Sequence, residues 1–196
     1  MSAFLTKSLS IQPIFVHMRP TVLIDEKQFQ LIINRLSHQL IENHRDFSDT
    51  VIIGLQPRGI YLAKRIQEKI KEITGVDVPN GNLDVTFFRD DFRRREKPIQ
   101  ANLTEVNFLI EDKHVVLVDD VLYTGRTIRS GLDAMLAYGR PAAVELCVFI
   151  DRRFSRQLPV EPNYVGKAID SIDSQRVTVS WKETSKKDLV ELHLQK

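Results

Sequence analysis

The sequence predicts an α/β protein built on a mostly parallel, twisted sheet flanked by helices. Three observations carry that prediction. The apolar runs Val51-Ile52-Ile53 and Val115-Val116-Leu117-Val118, and Ala142 to Ile150 broken only at Glu145, do not alternate, which is the pattern of strands buried on both faces. Between them lie segments with apolar residues at helical spacing. Strand and helix alternate along the chain, as a parallel sheet with crossover helices requires.

Composition narrows the class further. With 196 residues, 42% hydrophobic and 28% charged, the chain is sized for one ordinary globular domain with a real core. We expect that domain over residues 21–196, after an N-terminal extension over residues 1–20. There Lys7, Gln12, His17 and Arg19 interrupt scattered apolar residues, unlike a signal peptide. No apolar run approaches the roughly 20 residues that cross a bilayer, so no membrane partner is expected. A net charge of +2 is too small to imply nucleic acid by itself; a clustered basic face would be needed. The single cysteine, Cys147, falls in a buried-strand pattern, which leaves no intrachain disulfide or thiolate metal site and makes the cytoplasm the default compartment.

The elements follow in order. Asp25 reads as an N-cap with Gln28 three residues on, and Phe29, Ile32, Ile33, Leu36, Leu40 and Ile41 form one helical face. After the strand Val51 to Ile53, the loop Gly54 to Gly59 opens a helix carrying Ile60, Ala63, Ile66, Ile70 and Ile73, with Gly75 as its stop. Leu83 to Phe88 alternates like a strand. Arg89 to Pro98 is densely charged without an apolar period, the mark of a loop not held on the core. The strand Val115 to Val118 precedes a helix starting near Arg126, with Ile128, Leu132, Met135 and Leu136, closed by Gly139 and Pro141. Past Asp151, strand-like pieces at Tyr164-Val165, Val177 to Val179 and Leu189 to Leu194 alternate with polar turns, predicting a small antiparallel addition over one end of the sheet.

The chemistry concentrates where the strand ending at Val118 meets the following helix. Asp119 and Asp120 stand at the carboxyl end of that strand, where open α/β sheets bind ligands. Carboxylates only accept hydrogen bonds, so a vicinal diol with two hydroxyl donors suits an adjacent pair. Thr124-Gly125-Arg126-Thr127 then supplies two hydroxyls, a glycine that lets backbone approach closely, and free N–H groups at a helix start, which together make an anion site. A diol reader followed by a phosphate cradle describes ribose 5-phosphate. A nucleotide loop of the Gly-x-x-x-x-Gly-Lys-Ser/Thr kind is excluded because no such string occurs.

The segment Asp119-Asp120-Val121-Leu122-Tyr123-Thr124-Gly125-Arg126-Thr127 closely resembles the phosphoribosyl diphosphate (PRPP) signature of the type I phosphoribosyltransferases. Gly59 to Arg65, Phe88 to Asp91, Leu158-Pro159 and Tyr164 to Lys167 extend the similarity to about Val22 through Leu192, within the branch that couples uracil phosphoribosyltransferase activity to attenuation of pyrimidine operons. The resemblance implies that family's fold with a β hood at about residues 151–180. It also implies conversion of uracil and PRPP to UMP and pyrophosphate, with Mg²⁺ on PRPP as the cofactor.

On that resemblance, Arg58, Arg89, Asp119 and Asp120 are the catalytic candidates. PRPP or nucleotide contacts fall to Pro57, Arg58, Arg89, Arg93, Asp119 through Thr127, Arg152 and Val165, and metal contacts to Asp119, Asp120 and Asp151. Gln56-Pro57-Arg58-Gly59 resembles the pyrophosphate loop; Arg89, Arg93, Arg94, Arg95 and Lys97 resemble the family's flexible cationic loop. Implied partners are UMP or UTP, a pyrimidine operon mRNA leader, and a second copy of the chain in a homodimer or larger assembly. Arg35, His38, Arg156 and Lys167 resemble the RNA-binding surface, while Asn43, Glu161 and a turn at Arg153 to Gln157 one residue longer than usual depart from it. Two other readings share the ribose-phosphate signature: an RNA-binding nucleotide sensor with negligible turnover, and transfer to a purine or orotate.

Overall fold

The structure, a computed structural model, describes residues 20–90, 102–172 and 174–194. The expected N-terminal extension up to residue 19, and Arg93, Arg94, Arg95 and Lys97 of the cationic stretch, lie outside these residues.

A short strand, β1 (Thr21–Ile24), leads into α1 (Glu26–His44). Asp25 caps that helix as its sequence position predicts, Oδ1 accepting the Gln28 N–H at 2.8 Å, and Phe29, Ile33, Leu36 and Leu40 form its buried face. The strand β2 (Thr50–Leu55) is buried throughout, and α2 (Gly59–Thr74) ends at Gly75, whose φ of 77° is the left-handed conformation of a helix terminus. Then come β3 (Asn80–Leu83), β4 (His114–Leu122), α3 (Arg126–Met135), β5 (Ala143–Arg153), β6 (Tyr164–Asp170), β7 (Gln175–Ser180) and β8 (Leu189–Leu194).

Five strands form one parallel sheet in the order β3-β2-β4-β5-β6. Alternate residues of β4 serve opposite faces: Val116 and Val118 pack with α1 and α2, while Val115 and Leu117 pack with Ile128 and Met135 of α3. Helices therefore cover both faces, as the continuous apolar strands predict. Sequential strands run to opposite sides of β2, with β3 on one flank and β4 on the other, so the order reverses between β2 and β4. The crevice beyond the carboxyl ends of those two strands is where such a sheet accepts a ligand.

A separate three-stranded antiparallel sheet has the order β1-β8-β7, with Thr21 and Val177 both opposite Leu192. It is fastened to the main body through Trp181, which is fully buried edge-on to Phe29 at 4.9 Å, with the Arg65 guanidinium 5.1 Å from its ring. Arg65 also grips Asp188 through Nη1 at 2.8 Å and Glu183 through Nη2 at 2.7 Å.

Two elements differ from the sequence expectation. Leu83 to Phe88 is not one strand: β3 stops at Leu83, and Thr86–Phe88 forms a single 3₁₀ turn. The Asp84 carboxylate accepts both the backbone N–H and the hydroxyl of Thr86, at 3.0 and 2.5 Å, and this local bonding competes with extension. Tyr164-Val165 belongs to the main sheet and not to the antiparallel addition, because β6 pairs in parallel with β5, Val148 facing Val165. The third strand of the small sheet is β1, which stands before α1 in the sequence.

Candidate active site

The site forms at the reversal of strand order. Beyond β2, the cis Gln56–Pro57 bond and Arg58 lead into α2 at Gly59. A methyl group on Gly59 would lie 2.4 Å from the Val118 carbonyl and 2.9 Å from the Asp119 Cα, so only glycine lets α2 begin this close to β4. That approach sets Arg58 beside the acidic pair.

Asp119 and Asp120 lie inside β4, which runs four residues past Val118. Both are almost wholly buried, at 7% and 4% exposure, yet both line the cavity. The Asp119 carboxylate accepts the Asp120 N–H at 2.9 Å, folding back on its own backbone. Asp120 meets Arg58 Nε at 2.8 Å, but off the N–H axis, so the contact is between charges and leaves both atoms without an aligned hydrogen-bond partner. Burial, reinforced by the neighbouring Asp120, raises the Asp119 carboxyl well above the usual range; burial also raises Asp120, against the lowering pull of Arg58. Such a pair is suited to meet hydroxyl donors or a cation.

After Leu122 the chain turns into α3 through Gly125, at φ 88°, and the first helical turn opens on a cavity of about 260 Å³ lined by Tyr123, Thr124, Arg126 and Thr127. Leu122 contributes to this lining while anchored in the core at 1% exposure. The Thr124 carbonyl accepts N–H groups from Gln157 and Leu158 at 3.0 and 3.2 Å, bracing the turn. Arg126 pairs with Asp90 and donates through Nε to Gln157 at 2.9 Å. An adjoining cavity of about 340 Å³ adds Gln56, Pro57, Arg58, Arg152, Arg176 and Val177; Arg89, Asp119 and Thr127 line both. The acidic pair, the Thr124–Thr127 turn and the Arg58 loop thus share one continuous crevice.

Other candidates are engaged differently. The Asp151 carboxylate binds Arg156, and it lines a separate cavity with Val165, so the structure does not bring it to the Asp119–Asp120 pair. Among the described residues, no group of three or more His, Cys, Asp or Glu is arranged to hold a metal. The Val165 carbonyl accepts Arg35 Nη2 at 3.2 Å, and Arg35 also binds the Gly166 carbonyl. His38 Nδ1 lies 2.8 Å from the Asn34 carbonyl, and Lys167 donates to the Leu23 carbonyl at 3.1 Å. Arg156 reaches the Tyr123 carbonyl at 2.6 Å, which ties it to the ligand turn. Arg176, Val177 and Gln157 escape the sequence reading because nothing in an alternating strand or a polar turn marks which residues will face a crevice.

The phosphoribosyl transferase domain family matches residues 23–184, a span that includes β2, Arg58, the acidic pair and α3. The chain belongs to this family. The Bifunctional protein PyrR of Oceanobacillus iheyensis is 40% identical over 178 residues, covering 89% of this chain and 98% of that protein. The Bifunctional protein PyrR of Bacillus subtilis is 38% identical over 175 residues, covering 88% and 96%. Among solved structures, the hypoxanthine phosphoribosyltransferase of Trypanosoma cruzi superposes with a TM-score of 0.68 at 16% identity, covering 90% of this chain and 97% of that one. The Staphylococcus aureus hypoxanthine phosphoribosyltransferase gives 0.66 at 20% identity, covering 87% and 90%. At those identities the structural likeness speaks for the phosphoribosyltransferase fold alone.

Proposed function

We propose that this phosphoribosyltransferase domain converts uracil and PRPP to UMP and pyrophosphate, in the cytoplasm, and that it also binds a pyrimidine operon mRNA leader in response to UMP or UTP. The observation that carries the catalytic half is the buried Asp119–Asp120 pair in β4, which shares one crevice with Arg58 and with the open first turn of α3. Similarity over most of the chain to proteins named bifunctional and PyrR supports both halves.

Each group has a task in displacement at the ribose anomeric carbon. Asp119 and Asp120 accept from the ribose hydroxyls; Thr124, Thr127 and the N–H groups opening α3 bind the 5-phosphate. Arg58 and Arg89 meet the diphosphate as it takes up the negative charge of the breaking C–O bond, and electrostatic stabilisation at that point is the main source of rate. The uracil nitrogen forms the new bond as the anomeric C–O bond breaks, and its proton passes to the departing diphosphate or to water. No protein nucleophile is required, so positioning supplies the remainder. The residues fit a magnesium ion: Asp120 Oδ2 is buried in the cavity wall without an aligned donor, beside a second buried carboxylate, Asp119. Bound with PRPP, Mg²⁺ would neutralise charge on the diphosphate.

RNA binding would fall to Arg35, His38 and Lys167, with Arg156 at the border of the active site, and to a homodimer or larger assembly that doubles the basic face. Residues 21–196 would act as one domain with residues 1–20 as an extension. UMP formation from uracil, PRPP and Mg²⁺, competed against hypoxanthine and orotate, tests the reaction. Gel shifts with leader RNA, with and without UMP, test the second activity. Absence of UMP formation with turnover of another base would overturn the uracil assignment.

A further inference from the structure

Arg152 is a buried arginine whose contacts point away from a simple ligand role. It sits in β5 directly after Asp151, which faces Leu122, the last residue of β4. Only 5% of Arg152 is exposed, although it lines the crevice with Arg58 and Asp120. Nε donates to Ser171 Oγ at 2.8 Å, and Nη2 donates to the carbonyls of Gln175 at 2.8 Å and Ile172 at 3.3 Å. The guanidinium carbon lies over the Tyr123 ring, 3.9 Å from its centre.

These partners belong to different parts of the site. Tyr123 begins the turn that cradles the ribose phosphate. Ser171 and Ile172 follow β6 of the parallel sheet and Gln175 opens β7 of the small sheet, immediately before Arg176 and Val177 at the crevice. The Tyr123 backbone is already held by Arg156, so what Arg152 governs is the Tyr123 ring and its spacing from the β6–β7 connection. Only a planar guanidinium can donate in its plane to three oxygens while stacking on an aromatic face; an ammonium cannot do both.

We propose that Arg152 is a positioning residue that sets the wall beside the base, Arg176 and Val177, at a fixed distance from the ribose-phosphate turn. It acts through Tyr123 on one side and the Ser171–Gln175 connection on the other. The inference rests on the reading of this crevice as a PRPP and uracil site. The 5-phosphate meets the turn and the diphosphate meets Arg58 and Arg89, whereas the base lies between turn and wall. Loss of Arg152 therefore falls on the base.

The test is steady-state kinetics of the full chain carrying Arg152→Lys or Ser171→Ala, with Mg²⁺, PRPP and uracil, alongside thermal unfolding. Arg152→Lys raises the uracil KM about tenfold and the PRPP KM less than about twofold, the lysine failing to rescue because it lacks the planar stack. Ser171→Ala, which keeps the stack and removes one acceptor, shifts the uracil KM about two- to threefold in the same direction. Equal changes in both KM values, or a lowered unfolding midpoint with neither KM changed, would overturn the inference. If Arg152→Lys does not fold, the split in Ser171→Ala decides. A wild-type chain that ignores uracil but uses another base defeats the uracil assignment alone, and the same comparison is then made with that base. With no turnover at all, calorimetry of UMP against ribose 5-phosphate reads the split: the variants weaken the first and spare the second, and parallel weakening overturns the inference.

Discussion

At the scale of single residues, the acidic pair is costly to keep buried. Two carboxylates inside a strand, both raised by burial, are tolerated because Arg58 offsets one and a backbone N–H satisfies the other. Asp120→Asn preserves shape but removes charge, and should lower kcat/KM by about 100-fold in steady-state assays, within the range for loss of one electrostatic group at a reacting centre. Cys147 represents the opposite case. It is fully buried, and burial pushes its thiol up to about 12, so alkylating reagents should leave it untouched in the native protein and label it only in denaturant, as read by mass spectrometry. That Asp119, Asp120, Thr124 and Thr127 would gather at one crevice was legible in the sequence because they lie within nine residues of one strand-turn-helix. The Arg152–Tyr123 stack was not, since it joins residues from separate strands that meet only in the folded sheet.

At the scale of elements, the contacts that shape the crevice are backbone approaches and caps. Gly59→Ala would force a methyl group into the Val118 carbonyl and displace the Asp119 backbone; a loss of about 3 kcal/mol in urea unfolding is expected, with reduced turnover in the fraction that folds. Asp25→Ala, which removes the cap of α1 far from the chemistry, should cost about 1 kcal/mol and leave KM values unchanged. The link at Asp188 holds the small sheet. Its side chain is fully buried, and although burial alone would raise its carboxyl, the Arg65 hydrogen bonds outweigh that and hold it below the usual range. A carboxyl lowered in the folded state contributes stability above the ordinary carboxylate range and loses it as pH falls through the lowered value. Asp188→Ala should therefore cost about 3 kcal/mol near neutral pH and show a shallower acid-induced fall than wild type in unfolding measured across pH. Helix starts and stops were readable from Asp25, Gln28 and Gly75, whereas the end of β3 depended on an Asp84–Thr86 interaction that competes with a strand-like alternation.

At the scale of the whole molecule, one reversal of strand order places the Arg58 loop and the acidic pair opposite each other, and the small sheet closes over the end of that crevice. Alternation of strands and helices announced a parallel sheet, but not the order β3-β2-β4-β5-β6, because parallel neighbours are chosen by contacts between distant segments. β1 went unread for a related reason: Thr21–Ile24 is four residues long, and its pairing with β8 comes from the far reaches of the chain. Closing so wide a loop delays such pairing, while the strand-turn-helix of β4 and α3 is made from neighbours. Amide exchange should be slower at Val116 and Val118 than at Val177 and Val190, and the reverse order would contradict this. A chain caught midway through folding would thus already own the turn we propose for the sugar phosphate before it owned the wall we propose for the base.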